Sequence, residues 1–141
     1  MNDRYLYRAK RTDNGEWIVG SLIQTPYLGS IRSWISSEQE DKARLREISS
    51  NQAVWRAFEV RTDTICQCTG LKDKNGKLIW ENDITLRTSV TGTHKGKIFY
   101  GEDGAFCQKD FETLFENLLL HSDSYFEVIG NIFDNPELLE K

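Results

Sequence analysis

Cysteine and histidine are the residue types in this chain that could ligate a metal ion or act as nucleophile and base. The 141-residue sequence holds three cysteines, Cys66, Cys68 and Cys107, and two histidines, His94 and His121. A structural zinc site uses four ligands in spacings such as Cys-x-x-Cys, whereas a single residue separates Cys66 from Cys68. Residues two apart share one face of a strand. We therefore expect small apolar cysteines in a sheet, and predict no metal and no other cofactor.

Familiar catalytic motifs are missing from the sequence. Neither GxSxG, typical of serine hydrolases, nor HExxH, typical of zinc proteases, occurs. The segment 91–98, TGTHKGKI, has the glycines and lysines of a phosphate-binding loop. However, three residues separate its glycines instead of four, and Ile98 follows Lys97 where that loop has Ser or Thr. We expect a hairpin turn there, and the sequence predicts no catalytic residues and no enzyme activity.

Basic and aromatic residues are interleaved near the N-terminus. Arg8 and Lys10 lie two residues apart, with Tyr5, Tyr7 and Trp17 nearby. Proteins that bind single-stranded nucleic acid combine such cations with aromatic rings that stack on bases. In the alternative interpretation, basic residues on an edge strand prevent aggregation while the aromatic residues pack inside. The net charge of −4 implies that any binding to nucleic acid is weak.

Tryptophan supplies a second kind of candidate. Trp17, Trp34, Trp55 and Trp80 are more large aromatic surface than one small β domain buries easily. We therefore expect some of them to line a surface for self-association or for a protein partner. Trp34, in a segment predicted to be irregular, is the first candidate. Together with Arg8 and Lys10 it forms the predicted interaction surface.

Composition places the chain among globular proteins. Hydrophobic residues make up 38% and charged residues 28% of the sequence. No apolar run approaches the roughly 20 residues of a membrane span, so no membrane association is predicted. The opening residues, MNDR, lack the apolar core of a secretion signal. We expect a cytoplasmic protein.

Three glycine-containing turns organise the predicted strands. Asn14-Gly15, Asn75-Gly76 and Asp103-Gly104 each lie between stretches of strand-like pattern. Glycine readily adopts the positive φ that tight hairpin turns need. We predict an antiparallel hairpin at each turn.

Two segments have helix-like patterns. Residues 36–50 are rich in charge, with a capping-box pattern at Ser37 and Glu40, and predict an exposed helix. Residues 111–120 follow Asp110, a suitable cap. Their apolar residues recur at helical spacing and predict a buried stripe. Its members are Phe111, Leu114, Phe115, Leu118 and Leu119.

These elements predict a mainly β fold. Its antiparallel hairpins should form a small SH3-like barrel or a strongly bent sheet, with one exposed charged helix and one short amphipathic helix. A chain of this length suits one domain, over residues 1–141. Residues 1–66 would hold the first hairpin and the charged helix, and 67–141 the barrel-like half.

The central sequence resembles a known family. The run CTGLKDKNGK from Cys68 to Lys77, followed by WENDI from Trp80 to Ile84, resembles the signature of the YopX family, usually YTGLKDKNGKEIYEGDI. Segments 8–17 and 127–139 resemble the same family, so the resemblance spans nearly the whole chain. Cys68 and Trp80 replace tyrosines of the signature. Asn82 replaces a glycine and is compatible with a left-handed turn.

The resemblance implies a small protein of a phage or prophage, with mostly β structure and no family-wide catalytic residues. We therefore expect a non-enzymatic interaction or assembly protein in the cytoplasm of a bacterial host cell. It would form a homo-oligomer or bind a protein partner. The alternative is a barrel protein that binds single-stranded nucleic acid weakly.

Overall fold

The structure is a computed structural model that describes residues 5–37, 57–102, 104–119 and 125–139. Eleven strands run through these ranges, with short 3₁₀ turns at Thr62–Thr64 and Pro136–Leu139. The prediction of a mainly β protein is confirmed. The chain divides into two compact units, an N-terminal unit from Tyr5 to Ile65 and a C-terminal unit that begins at Cys66. Among the described residues, no helix has the length and apolar character needed to cross a membrane.

The N-terminal unit is an antiparallel sheet with strands in the order β4-β3-β2-β1. The predicted hairpin at Asn14-Gly15 is confirmed, since it joins β1 to β2 and Gly15 has a φ of 72°. Alternate residues of the strands face one side and form a core of Ala9, Ile18, Ile35, Phe58 and Val60. The strands are β1 (Tyr7–Lys10), β2 (Trp17–Tyr27), β3 (Ser30–Ser36) and β4 (Ala57–Val60).

The C-terminal unit contains a hairpin, β5 with β6, and a five-stranded antiparallel sheet in the order β10-β9-β8-β7-β11. The predicted hairpins are confirmed at Asn75-Gly76, between β5 and β6, and at Gly104, between β8 and β9. Asp103 lies outside the described residues. The strands are β5 (Cys66–Lys72), β6 (Leu78–Trp80), β7 (Asp83–Ser89), β8 (Gly92–Tyr100), β9 (Phe106–Asp110), β10 (Glu116–Leu118) and β11 (Phe126–Asn131).

The predicted SH3-like barrel is wrong. The five-stranded sheet ends at β10 on one side and at β11 on the other, and these two strands do not pair. The sheet curves strongly all the same. Leu119, just after β10, and Phe126, on β11, join Ile98 and Phe106 in one apolar core. The five-stranded sheet of the C-terminal unit is therefore open and curved rather than a closed barrel.

The predicted amphipathic helix over 111–120 is also wrong. Asp110 does cap a turn, because its Oδ1 accepts the N–H groups of Glu112 and Thr113. Leu114 then adopts a φ of 64°, and the chain reverses into β10, which pairs with β9. Of the predicted buried stripe, Leu119 is buried, whereas Leu114, Phe115 and Leu118 are 50% or more exposed.

Some predictions fall on other parts of the chain. Nearly all of the predicted charged helix, residues 36–50, lies outside the described residues, as do Trp55, Leu120 and His121. Ser36 is the last residue of β3. The hairpin turn predicted within 91–98 lies at 90–91, because β8 already begins at Gly92, which pairs with Ser89.

Candidate functional site

The central motif builds a loop that one buried carboxylate organises. Asp73, which is 2% exposed, follows β5 in the loop of the β5–β6 hairpin. Its Oδ1 accepts the backbone N–H groups of Asn75 and Lys77, each at 2.9 Å. Gly76, with a φ of 81°, completes the reversal between them. The Asp-Lys-Asn-Gly-Lys sequence is thus a self-capped turn, as expected of Asp and Asn beside glycine.

The same carboxylate joins this turn to another strand. Oδ2 of Asp73 accepts the backbone N–H of Val128 on β11 at 2.9 Å. The next residue, Lys74, donates its N–H to the carbonyl of Phe126 and places its Nζ 2.8 Å from Glu127. The turn therefore lies along the edge of β11 that β7 does not occupy. Its role is to hold the fold.

Acid should weaken this attachment. Burial raises the pKa of Asp73, but the N–H groups of Val128, Lys77 and Asn75 outweigh burial and lower it below its usual value. A group whose pKa falls on folding stabilises the fold above its unfolded pKa, about 3.9 for Asp. That contribution is lost as the pH drops from there through the folded pKa. We expect urea unfolding to show constant stability above about pH 5 and a decline below about pH 4.

The Asp73→Asn variant shows how much of the acid dependence comes from Asp73 rather than from the other carboxylates. Its unfolding midpoint should fall less steeply with acid than that of the wild type, because the amide does not titrate. Parallel acid profiles for the two proteins would contradict the assignment.

The second turn of the motif is structural as well. Asn82 has a φ of 70°, which confirms the left-handed position predicted from the sequence. Oδ2 of Asp83 accepts the N–H of Trp80 at 2.8 Å. The backbone of Asn82 donates to Ile98 and accepts from Ile132. Both turns of the central motif thus use their Asp and Asn residues to set backbone geometry.

All three cysteines are buried free thiols. Cys66 and Cys68 are fully buried in β5, as predicted for small apolar residues of one strand face. Cys107 lies on β9, 5% exposed. Within the described ranges, no group of three or more His, Cys, Asp or Glu side chains is arranged to hold a metal ion.

Two of the predicted interaction residues lie together in the N-terminal sheet. Arg8 and Lys10 project from the side of β1 opposite Ala9, which is in the core. Lys10 pairs with Trp17 across β1 and β2. The Arg8 guanidinium lies 4.7 Å and the Lys10 ammonium 5.4 Å from the centre of the Trp17 ring. Both distances are within the range of cation–π attraction.

The third predicted residue, Trp34, belongs to a similar cluster. It lies on β3, not in an irregular segment as predicted, and is half-buried. The Arg32 guanidinium lies 5.0 Å from the Trp34 ring and 5.3 Å from the Tyr27 ring. Arg32 also donates two hydrogen bonds, at 2.8 and 2.9 Å, to the carboxylate of Glu59. This contact lowers the pKa of Glu59.

Both clusters share one face of the sheet. Val19 pairs with Arg8, and Ile23 pairs with Trp34, and residues at even spacing along β2 face the same way. Val19 and Ile23 are four positions apart along β2, which separates the clusters by about 13 Å. We call this surface the aromatic–cation face. Its members are Arg8, Lys10, Trp17, Val19, Ile23, Tyr27, Arg32, Trp34 and Glu59.

Tyr27 and Arg32 of this face were not predicted from the sequence. Tyr27 and Arg32 come together because the β2–β3 turn at Leu28-Gly29 pairs Thr25 with Arg32. A pattern in the sequence could have predicted this strand. Residues facing the core alternate with residues of this face, which is the period of a half-buried strand: Ile31, Ser33 and Ile35 alternate with Arg32 and Trp34.

Comparisons with known proteins agree with the signature. A family model described as "YopX protein" matches residues 6–140. No curated protein shows significant similarity to the chain.

Among solved structures, the chain is similar to the crystal structure of protein EF1440 from Enterococcus faecalis. The two are 25% identical, and the match covers 95% of this chain and 96% of that one, with a TM-score of 0.51. The family model covers nearly the whole chain, including the self-capped turn and the aromatic–cation face. The chain belongs to the YopX family.

Proposed function

We propose that this protein is an interaction protein that self-associates through its aromatic–cation face. The observation that carries the proposal is the packing of three cations against three aromatic rings on one side of the sheet. Tryptophan, tyrosine and arginine are the residues that contribute most to protein interfaces. Here their side chains are already held by one another, which reduces the entropy lost on binding.

Charge complementarity favours a second copy as the partner. Among its members, the aromatic–cation face has three cationic residues, Arg8, Lys10 and Arg32, and one carboxylate, that of Glu59. The whole chain carries a net charge of −4, so the remaining surface is more acidic than the molecule as a whole. A basic face on one copy and an acidic surface on another attract each other and fix their orientation.

The face also has apolar area for such a contact. Tyr27 is 52% and Val19 38% exposed. Ile23 lies between the two clusters, opposite Trp34. Aromatic and aliphatic groups in the centre with charges around them are typical of protein interfaces.

Binding of single-stranded nucleic acid is the second candidate. Three cations beside three aromatic rings also suit a phosphate backbone with stacked bases. Two observations favour self-association over nucleic-acid binding. The guanidinium of Arg32 is engaged by Glu59, and the cations lie over ring faces that a base would need.

Light scattering of the purified protein tests the proposal, at low and moderate salt and with or without a single-stranded oligonucleotide. We expect an oligomer at both salt concentrations without DNA. Tyr27→Ser combined with Trp34→Ala should shift it to the monomer. Ile31→Ser is the matched control, because Ile31 is 56% exposed but lies on the other side of β3.

Two results would contradict self-association through this face. One is a wild-type monomer that binds DNA with a steep salt dependence, which would favour the second candidate. The other is an oligomer that the double variant and the control leave equally intact.

The setting we propose is the cytoplasm of a bacterial host, in a phage or prophage context. The three buried free thiols support it, because such cysteines suit a reducing compartment. The phage context rests on the family resemblance.

A further inference from the structure

Three side chains of the C-terminal unit lie in the order that nucleophilic catalysis uses. Oγ of Ser89 is 3.1 Å from Nε2 of His94. Nδ1 of the same imidazole is 3.2 Å from Oδ2 of Asp110. An imidazole that a carboxylate orients can accept the proton of a neighbouring serine and so activate it. We propose that Ser89, His94 and Asp110 form a catalytic site that hydrolyses esters of small apolar carboxylic acids.

Strand register brings these residues together. His94 pairs with Arg87 across β7 and β8, and Asp110 pairs with Gly96 across β8 and β9. Paired residues, and residues two apart on a strand, share one face of the sheet. Ser89, His94 and Asp110 therefore lie on the same face. Gly96 has no side chain to separate His94 from Asp110.

Asp110 is suited to orient the imidazole. It is 1% exposed, and its Oδ1 accepts the N–H groups of Glu112 and Thr113 at 2.8 and 3.0 Å. Burial raises the pKa of Asp110, but those N–H groups, His94 and Arg87 outweigh burial and lower it. Oδ2 is buried beside the imidazole without a well-aligned hydrogen bond. Catalytic contacts are often poorly aligned before substrate binds.

A cavity adjoins the serine. Its volume is about 670 Å³, and Ser89 is part of its wall. This volume is within the range of small-molecule sites. Most of the wall is apolar, which suits the acyl group of an apolar acid. The apolar side chains are Val90, Leu118, Tyr125 and Phe126.

Asn117 is a further polar residue in the wall of the same cavity. Its Nδ2 is buried and has no acceptor, which is unfavourable for a polar group.

The proposed reaction consumes only ester and water. Oγ of Ser89 bonds to the ester carbonyl carbon while its proton passes to Nε2 of His94, and the carbonyl oxygen becomes an oxyanion. The bond from that carbon to the alcohol oxygen then breaks, and His94 returns the proton to this oxygen. Water attacks the acyl-serine with His94 again as base. The carboxylic acid leaves and the Ser89 hydroxyl is restored.

The neighbouring Thr91 also has a hydroxyl near the imidazole. It lies 2.9 Å from Nε2 of His94 and 2.8 Å from Oγ of Ser89. We assign the nucleophile to Ser89 because Ser89 lines the cavity and Thr91 does not. The test must therefore identify the modified residue.

This site goes beyond the binding role proposed above, uses residues of the other unit, and departs from the sequence-based expectation of a protein without enzyme activity. An alkyl fluorophosphonate, which reacts with activated serines, is the probe. We expect one adduct per chain, which peptide mass spectrometry places on Ser89. Labelling should be absent in Ser89→Ala and at least tenfold slower in His94→Gln. Thr93→Ala, an exposed threonine of the same hairpin, should label like the wild type.

Hydrolysis of p-nitrophenyl butyrate should show the same order. The wild type and Thr93→Ala should be equally active, His94→Gln at least tenfold slower, and Ser89→Ala inactive. Circular dichroism and thermal unfolding of each variant show whether it is folded. The proposal is overturned if the native protein takes up no probe, if the adduct is on Thr91 or another residue, or if folded Ser89→Ala or His94→Gln labels at the wild-type rate. In those cases the hydroxyl–imidazole contacts only stabilise the hairpin.

Discussion

Replacing Asp73 with alanine is expected to lower the free energy of unfolding by about 3 to 5 kcal/mol. The carboxylate accepts three backbone N–H groups, two within its own turn and one from Val128 on β11. A hydrogen bond to a charged group contributes about 1.5 to 3 kcal/mol, and a buried donor left without its acceptor carries a further cost. Urea unfolding followed by tryptophan fluorescence measures the change.

Asp63→Ala is the matched control for Asp73→Ala. Asp63 is also an aspartate of a short turn and pairs with Arg61 at 3.0 Å, but its side chain is 68% exposed. Its replacement should change the unfolding free energy by less than about 0.5 kcal/mol. Equal effects of the two substitutions would show that the central turn does not stabilise the fold through Asp73.

Replacing Gly20 with alanine is expected to cost about 3 kcal/mol. Gly20 lies on β2, and a Cβ there would overlap the carbonyl oxygen of Ser36 on β3. The same Cβ would lie 3.1 Å from Cγ2 of Ile35, a core residue. Because the obstacle is backbone, the two strands would have to move apart, and no change of rotamer relieves the clash. Thermal unfolding of the purified variant tests this.

Gly29→Ala is the control, because it introduces backbone strain without steric conflict. Gly29 has a φ of 83° in the β2–β3 turn, but no atom lies within 4 Å of its added Cβ. Its substitution should cost about 1 kcal/mol, the strain of a left-handed residue. If Gly20→Ala is no more destabilising than Gly29→Ala, the close contact with Ser36 does not limit the side chain at position 20.

The turns were predictable because their signals are local. Asn14-Gly15 and Asn75-Gly76 supply the positive φ of a tight reversal within two residues, and both close hairpins. The left-handed conformation of Asn82 follows in the same way from the glycine that it replaces in the signature.

The helix over 111–120 shows where a local signal was insufficient. Asp110 caps the first turn as predicted, and the apolar spacing fits a helix. The same residues gain more from pairing with β9, because backbone groups at the end of the sheet then find partners. Periodicity does not report a neighbouring strand that is close enough to pair.

The aromatic–cation face and the Ser89 site could not be predicted in full, because both depend on how the strands pair. Short sequence motifs do not specify that register. Arg8, Lys10 and Trp34 were predicted by residue type, but Arg32 and Tyr27 join them only through the β2–β3 pairing. Ser89, His94 and Asp110 span 22 residues and three strands. Their order along the chain matches no hydrolase motif, so pairing of β7, β8 and β9 was needed to bring them together.

The turn along β11 determines how this sheet could grow. A strand from another molecule needs unpaired N–H and C=O groups, and Asp73 and Lys74 already occupy those of Val128 and Phe126. Within the described part of the chain, β10 is the end of the five-stranded sheet that is left for such pairing, and it is three residues long with Glu116 at its start. Two copies could join there once, but neither would offer a further edge of this sheet. Edge-to-edge pairing through it ends at a dimer and does not propagate into a fibril.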